Sequence, residues 1–216
     1  MAPDTTRWGA WWWLVAEGHV RAGSLRQEIG GSLLALDVVE RSGRIEVRMT
    51  QGPPKLGARL DELDPIAAAL RLRRDALAPA PQVVSTDVPH LLVRARDRTS
   101  VDAARPESEA LAAVLADARA EGCYLFAMDP IDAAATAHAR FFNPTVGLWE
   151  DVATGTAAGP LAWWLHQGDG APRTLVIEQG YALGRPSRLQ IEVEGDRVTL
   201  VGSAALAADG TLHAPA

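Results

Sequence analysis

Residues 140–160 hold the side chains whose types and spacing point to chemistry: Arg-Phe-Phe-Asn-Pro-Thr-Val-Gly-Leu-Trp-Glu-Asp-Val-Ala-Thr-Gly-Thr-Ala-Ala-Gly-Pro. Two adjacent carboxylates, Glu150 and Asp151, come just before a run of small residues from Thr154 to Gly159. Small residues let a helix begin close to a ligand and to neighbouring backbone. The first turn of a helix presents unpaired N–H groups and the positive end of the dipole. It can therefore hold an anion such as a carboxylate without a basic side chain. A carboxylate placed before that turn would lie beside the anion. With a pKa raised by burial and by the anion's charge, it would move a proton on a neighbouring carbon. The plainer reading of the same spacing is that Asp151 or Thr154 caps the helix and Glu150 is solvated.

The elements that must position this segment are read from hydrophobic period and turn signals. Residues 8–17, with Trp8, Trp11, Trp12 and Trp13, predict a short apolar helix stopped at Gly18. Strands are predicted at 24–29 and 32–40. Ser42-Gly43 and the alternating run 44–50 make 32–50 a hairpin. Apolar Leu63, Ile66, Ala67 and Leu70 predict a helix over 61–72, and Ala78-Pro-Ala-Pro81 is the best linker. Beyond it, strands are expected at 82–86, 89–95, 122–128 and 137–142, with an amphipathic helix over 107–120. A loop over 143–153 leads into a helix from about Thr154 to His166. Short strands follow at 173–178, 188–193, 197–202 and 211–213, with Asp209-Gly210 as the last turn. Many short strands with a few helices fit an α+β fold of two β-rich lobes, each wrapped on a helix.

Composition narrows the function. A net charge of -6 over 216 residues argues against nucleic acid, which needs a basic surface. No apolar run is long enough to cross a bilayer, and the first seven residues do not read as a signal peptide. The single cysteine, Cys123, sits in an apolar run and reads as core in a reducing cytoplasm. No His, Asp and Glu spacing resembles a metal site. Thr154 and Thr156 have no histidine within sequence reach, so they do not read as nucleophiles. His90 and His138 fall in expected strands and read as core or rim residues.

Several blocks together resemble one family. They are Arg140-Phe-Phe-x-Pro, Glu150-Asp-x-Ala-Thr-Gly-Thr-Ala-x-Gly-Pro, Glu178-Gln-Gly and Gly184-Arg-Pro-Ser. With Pro81-Gln-Val-Val-Ser-Thr, Pro89-His-Leu-Leu-Val, Gln27-Glu-x-Gly30 and Leu56-Gly57, the order is similar to that of the PhzF-like isomerases of phenazine biosynthesis. The resemblance implies a diaminopimelate-epimerase-like fold, in which two lobes, each a curved sheet or barrel around a central helix, close over a site. It implies proton and double-bond shifts in small carboxylated metabolites, without metal or organic cofactor. Asp151 falls on a family active-site carboxylate. Gly155 and Thr156 fall on the residues that hold substrate at a helix N-terminus, and Gly180 on a glycine near the same cleft. The site expected is Asp151 as the catalytic group, with Thr154, Gly155, Thr156 and Gly180 binding substrate.

The match enters the family pattern late. Trp8-Gly9-Ala10 aligns with the end of the family's Gly-His-Pro-Thr-Leu-Gly motif, which puts Thr5 on the histidine. The glutamate of the family's opening Ser-Glu-Thr-like motif has no counterpart, and Asp4 is the only acid nearby. The expected organisation is a truncated N-terminal lobe, 1–78, and a C-terminal lobe, 82–216, whose final strands return to the first. The expected function is a cofactor-independent isomerase or cyclase of specialised metabolism. It would act on a small anionic metabolite, as a homodimer or with a complementing chain. The rivals are a non-catalytic ligand-binding or partner-stabilising protein, and one half of a split isomerase.

Overall fold

The computed structural model describes residues 4–29 and 32–210. Two units are distinguished, residues 50–201 and residues 1–49 with 202–216.

In the smaller unit, helix α1 (Asp4–Ala16) is followed by strands β1 (Gly23–Ile29), β2 (Ser32–Arg41) and β3 (Arg44–Thr50). They form an antiparallel meander, with Gly23 opposite Val38 and Leu36 opposite Met49. Ser42 and Gly43 both have positive φ, 51° and 74°, as a two-residue hairpin turn of matching twist requires. Alternation puts Leu36, Val38, Val47 and Met49 in the core. Of the α1 tryptophans, Trp8 is buried and Trp13 is exposed. Trp11 is half-buried and donates its indole N–H to Gln27 Oε1 at 2.9 Å. The expected helix at 8–17 thus starts four residues earlier. The strand expected at 211–213 lies outside the described residues.

The larger unit carries β4 (Lys55–Arg59), β5 (Gln82–Ser85), β6 (Pro89–Arg94), β7 (Gly122–Ala127), β8 (Ala137–Asn143), β9 (Leu148–Asp151), β10 (Thr174–Gln179), β11 (Ser187–Glu194) and β12 (Arg197–Gly202). The order is β12-β11-β10-β8-β7-β6-β5-β4, with β9 added to β8. Pairs β8/β10 and β6/β7 are parallel, and the other pairs among these strands are antiparallel. Four helices accompany them: α2 (Asp64–Leu70), α3 (Arg98–Ala103), α4 (Ser108–Ala118) and α5 (Gly155–Gly168).

Strands β7 and β8 are buried at every residue, because helices cover both faces of the sheet. On one face, α2, α3 and α4 bury Ile66, Leu70, Val101, Leu111 and Leu115 against Leu91, Val93, Cys123, Leu125 and Phe142. The intervening residues turn the other way, where Phe126 meets Trp164 of α5 edge-on at 6.2 Å. Strand β11 and the neighbouring pair β5 and β6 all pack on α5 although β11 stands far from that pair in the order, so the sheet curves around this helix. The Ala78–Pro81 segment lies inside this unit. Its backbone is paired there, Ala78 N–H to Arg94 O and Leu60 N–H to Pro81 O. No described helix is long and apolar enough to cross a membrane.

Candidate functional site

The 143–153 segment is not all loop. After a 3-10 turn at Pro144–Val146, Leu148–Asp151 form β9, antiparallel to β8, with Asp151 opposite Phe141. Successive strand residues point to opposite sides, and this separates the two carboxylates. Glu150 is not solvated. It is buried in a bidentate pair with Arg140, Nε to Oε1 at 2.9 Å and Nη2 to Oε2 at 2.8 Å. Arg140 Nη1 also donates to the carbonyls of Val101 and Ala104 around the end of α3. Glu150 and Arg140 therefore join β8, β9 and α3.

Asp151 goes the other way, to the start of α5. Its Oδ2 accepts the hydroxyl of Thr154 at 2.8 Å. It does not cap the helix, and neither does Thr154, which has no side-chain bond to the first turn. The capping reading is therefore corrected: among the described residues, no side chain accepts from the N–H groups of Gly155 or Thr156.

The first turn is fixed instead from three sides. From β10, Gln179, fully buried, donates to Thr154 Oγ1 at 3.0 Å and to Asp151 O at 2.8 Å. Its Oε1 accepts the Tyr124 hydroxyl at 2.9 Å and the Thr154 N–H at 3.3 Å. From the end of β3, Gln51 donates to Gly155 O at 2.9 Å and accepts from Thr86 at 3.1 Å. From β6, His90 Nε2 lies 3.2 Å from Thr156 Oγ1. Burial, and behind it the charge of Asp151, push the Tyr124 phenol well above its usual range. Burial pushes the His90 imidazole down to about 4.

Gly180 closes the far side. Its φ of +84° is left-handed, and a Cβ there would overlap Arg185 O and stand 2.8 Å from Val152 O. The Ser187 hydroxyl donates to the same Val152 carbonyl at 2.6 Å. Asp151, Thr154, Gly155 and Thr156 thus stand together at one helix end, and Gly180 acts on that end through the 151–154 backbone. Arg185 is exposed on a turn.

Of the side chains in this arrangement, Gln51 and Tyr124 lie in none of the quoted motifs, and Gln179 lies in the Glu178-Gln-Gly block without a role assigned to it. The signal for Gln179 was present: a polar residue at the end of an apolar strand needs buried partners. Its partners lie 25, 28 and 55 residues away, and no local pattern gives them.

A second buried cluster lies on the opposite face of the sheet. Glu178, fully buried, accepts from the N–H groups of Ile131 and Asp132 and lies 2.8 Å from His138 Nδ1. His138 Nε2 lies 3.0 Å from Asp102 Oδ1, at a depression of about 490 Å³ lined by Asp102, Arg105, Arg140 and Tyr181. His166 Nδ1 is 2.6 Å from Ala171 O, closing the end of α5. Among the described residues, no group of three His, Cys, Asp or Glu side chains is placed to hold a metal ion.

The geometry can be set beside known proteins. A family model described as phenazine biosynthesis-like protein matches residues 9–210. The chain is similar to an uncharacterized isomerase of Clostridium acetobutylicum, 26% identical over 190 residues, a match covering 84% of this chain and 63% of the relative. It is similar to trans-2,3-dihydro-3-hydroxyanthranilate isomerase of Pseudomonas aeruginosa, 43% identical over 81 residues, or 34% of this chain and 29% of that one. Its fold is similar to the crystal structure of a phenazine biosynthesis protein of the PhzF family from Bacillus anthracis. The TM-score is 0.80 at 20% identity, over 91% of this chain and 71% of that one. The chain spans less than two thirds of the length of the Clostridium relative.

Proposed function

The chain belongs to the phenazine biosynthesis-like protein family, and from that premise we propose that it is an isomerase- or cyclase-type enzyme that moves a proton within a small carboxylated metabolite. Asp151 is the proton-transfer group. The substrate's carboxylate is held by the N–H groups of Gly155 and Thr156 and by the Thr156 hydroxyl. Thr154 and Gly180 set the backbone around them. No organic cofactor enters this scheme.

The observation that carries this reading is the uncapped first turn of α5 beside a carboxylate that the Thr154 hydroxyl holds. An open helix N-terminus favours an anion. Fixed groups around it hold the reacting atoms at little further ordering cost. Relatives named isomerases support the reaction class. The same reading places the reaction in specialised metabolism in the cytoplasm. It takes the working form to be a homodimer or a pair with a complementing chain, which sedimentation in solution would test.

The direct experiment incubates the protein in D2O with trans-2,3-dihydro-3-hydroxyanthranilate and with a panel of related unsaturated carboxylates, and follows deuterium uptake by NMR. The wild type is expected to incorporate deuterium and shift a double bond in at least one of them. Asp151→Asn should lose roughly 10²-fold or more, the usual contribution of a positioned acid–base group. An Asp151→Asn protein that keeps full activity overturns the mechanism. Wild-type binding without exchange of any proton moves the protein to the ligand-binding class.

A further inference from the structure

One ring nitrogen at the first turn of α5 has no partner. His90 is 2% exposed, and its Nδ1 is buried without a hydrogen bond. Its Nε2 is aimed at Thr156 Oγ1, 3.2 Å away. The ring stands edge-on to Phe141, with centroids 5.0 Å apart at 86°. Gly122, opposite His90 in β7, admits Phe141 to that position, since a Cβ there would come within 2.7 Å of the Phe141 Cε2. His90 is thus held by packing as well as by its one polar contact.

Burial keeps this imidazole neutral near pH 7. A neutral ring carries one N–H, and the contact with Thr156 can form in two ways. If Nδ1 holds the proton, a donor is buried with no acceptor, and the single proton of Thr156 is spent on Nε2. If Nε2 holds it, the ring donates to Thr156 Oγ1 and only a lone pair is left unpaired at Nδ1. Buried unpaired donors are rarer than under-used acceptors, a rule drawn from backbone groups that favours the second form. The Thr156 proton then needs an acceptor of its own. A threonine inside a helix can reach the carbonyl four residues back, but Thr156 stands in the first turn, and the residue four back, Val152, precedes the helix. Among the described residues, His90 is the only hydrogen-bond partner of the Thr156 side chain.

We infer that His90 is a positioning residue for the carboxylate site: its Nε2–H donates to Thr156 Oγ1 and so reserves the Thr156 hydroxyl proton for the bound carboxylate. This rests on the reading that the first turn of α5 holds that carboxylate. A purely structural histidine would fill the same space in either tautomer, and the two roles separate on that point.

The test begins with the full-length wild type labelled with 15N-histidine. A long-range 1H–15N spectrum at pH 7 reads the tautomer, and His90→Gln identifies the signal. The Nε2–H form is expected, and the Nδ1–H form overturns the proposal whether or not a ligand binds. Titration with benzoate and with anthranilate then reads the function. Thr156→Val and His90→Phe should each weaken binding about tenfold, as loss of a bond to a charged group does. The double variant should be no worse than Thr156→Val alone. His90→Gln, whose amide can offer an N–H in place of Nε2, should stay within about threefold of wild type. Independent, multiplying losses overturn the role of His90 and leave the carboxylate site standing. Failure of the wild type to bind either probe, with the Nε2–H form observed, overturns both.

Discussion

The thiol of Cys123 is fully buried in β7, and burial pushes its pKa up to about 12. Ellman's reagent should therefore leave the native protein unlabelled and label one thiol per chain after unfolding. Rapid native labelling would show the β7 core to be open. The buried acids make a sharper contrast. Removing the ring in His138→Leu strands the Glu178 carboxylate, which keeps only two backbone donors. Leaving a buried polar group without one of its partners costs about 1–3 kcal/mol, and urea unfolding should show it. Asp102→Asn, at the half-exposed end of the same chain, should cost about 1 kcal/mol or less. Equal losses would mean that the chain acts as one unit. At this scale the sequence was readable where a residue type has few uses. It identified Cys123 as core and singled out Asp151. Only the family resemblance separated Asp151 from Glu150; their spacing did not, because that depends on β9, whose pairing with β8 sends neighbours to opposite sides.

Glycines decide how closely elements approach α5. At Gly159 an added methyl would collide with the Gln51 amide, reaching 2.7 Å from its Cδ. The obstacle is the end of a flexible side chain, so Gly159→Ala should displace Gln51 from Gly155 O and leave most of the fold intact. Stability should change by about 1 kcal/mol, near the worth of one hydrogen bond. At Gly180 the obstacle is backbone and φ is positive, so Gly180→Ala should cost about 1–3 kcal/mol from strain alone. If the two alanine variants unfold alike in urea, the distinction between soft and hard neighbours fails. Long periodic elements were legible: α5 and β7 lie within two residues of their expected bounds. Short ones were not. Helix α3 has six residues, and the caps at its two ends come from the Asp97 carboxylate and from the distant Arg140. Strand β4 contains Gly57 and no buried residue, so it shows no alternation.

The whole chain should register the burial of His90. Unfolded, this imidazole titrates near 6.5, and folded, at about 4. Above 6.5 the stabilising effect is complete. As pH falls, the unfolded chain takes up a proton that the folded chain refuses, and the contribution is lost by about pH 4. That interval corresponds to about 3 kcal/mol. Urea unfolding at pH 7 and pH 4.5 should show His90→Gln losing about 2 kcal/mol less than wild type between the two conditions. Identical losses would mean that His90 is not buried as described. The chain-wide arrangement was legible only in part. Residue patterns indicated an α+β protein with many short strands, but the order of β12 to β4 brings together strands far apart in sequence, which no local period encodes.

The hydrogen bonds around Asp151 all run in one direction. The Gln179 amide cannot be flipped, because its oxygen receives Tyr124 and the Thr154 N–H while its nitrogen gives to Thr154 Oγ1 and Asp151 O. The Thr154 hydroxyl, receiving at its oxygen, passes its own proton to Asp151 Oδ2. Oδ2 already accepts this bond, so on the proposed mechanism Oδ1 is the oxygen left to carry the transferred proton. A single oxygen of fixed orientation delivers from one side only. On the proposed mechanism, the reaction in D2O should place deuterium at one of two prochiral positions, so that the handedness of the product would be set by the orientation of a buried amide.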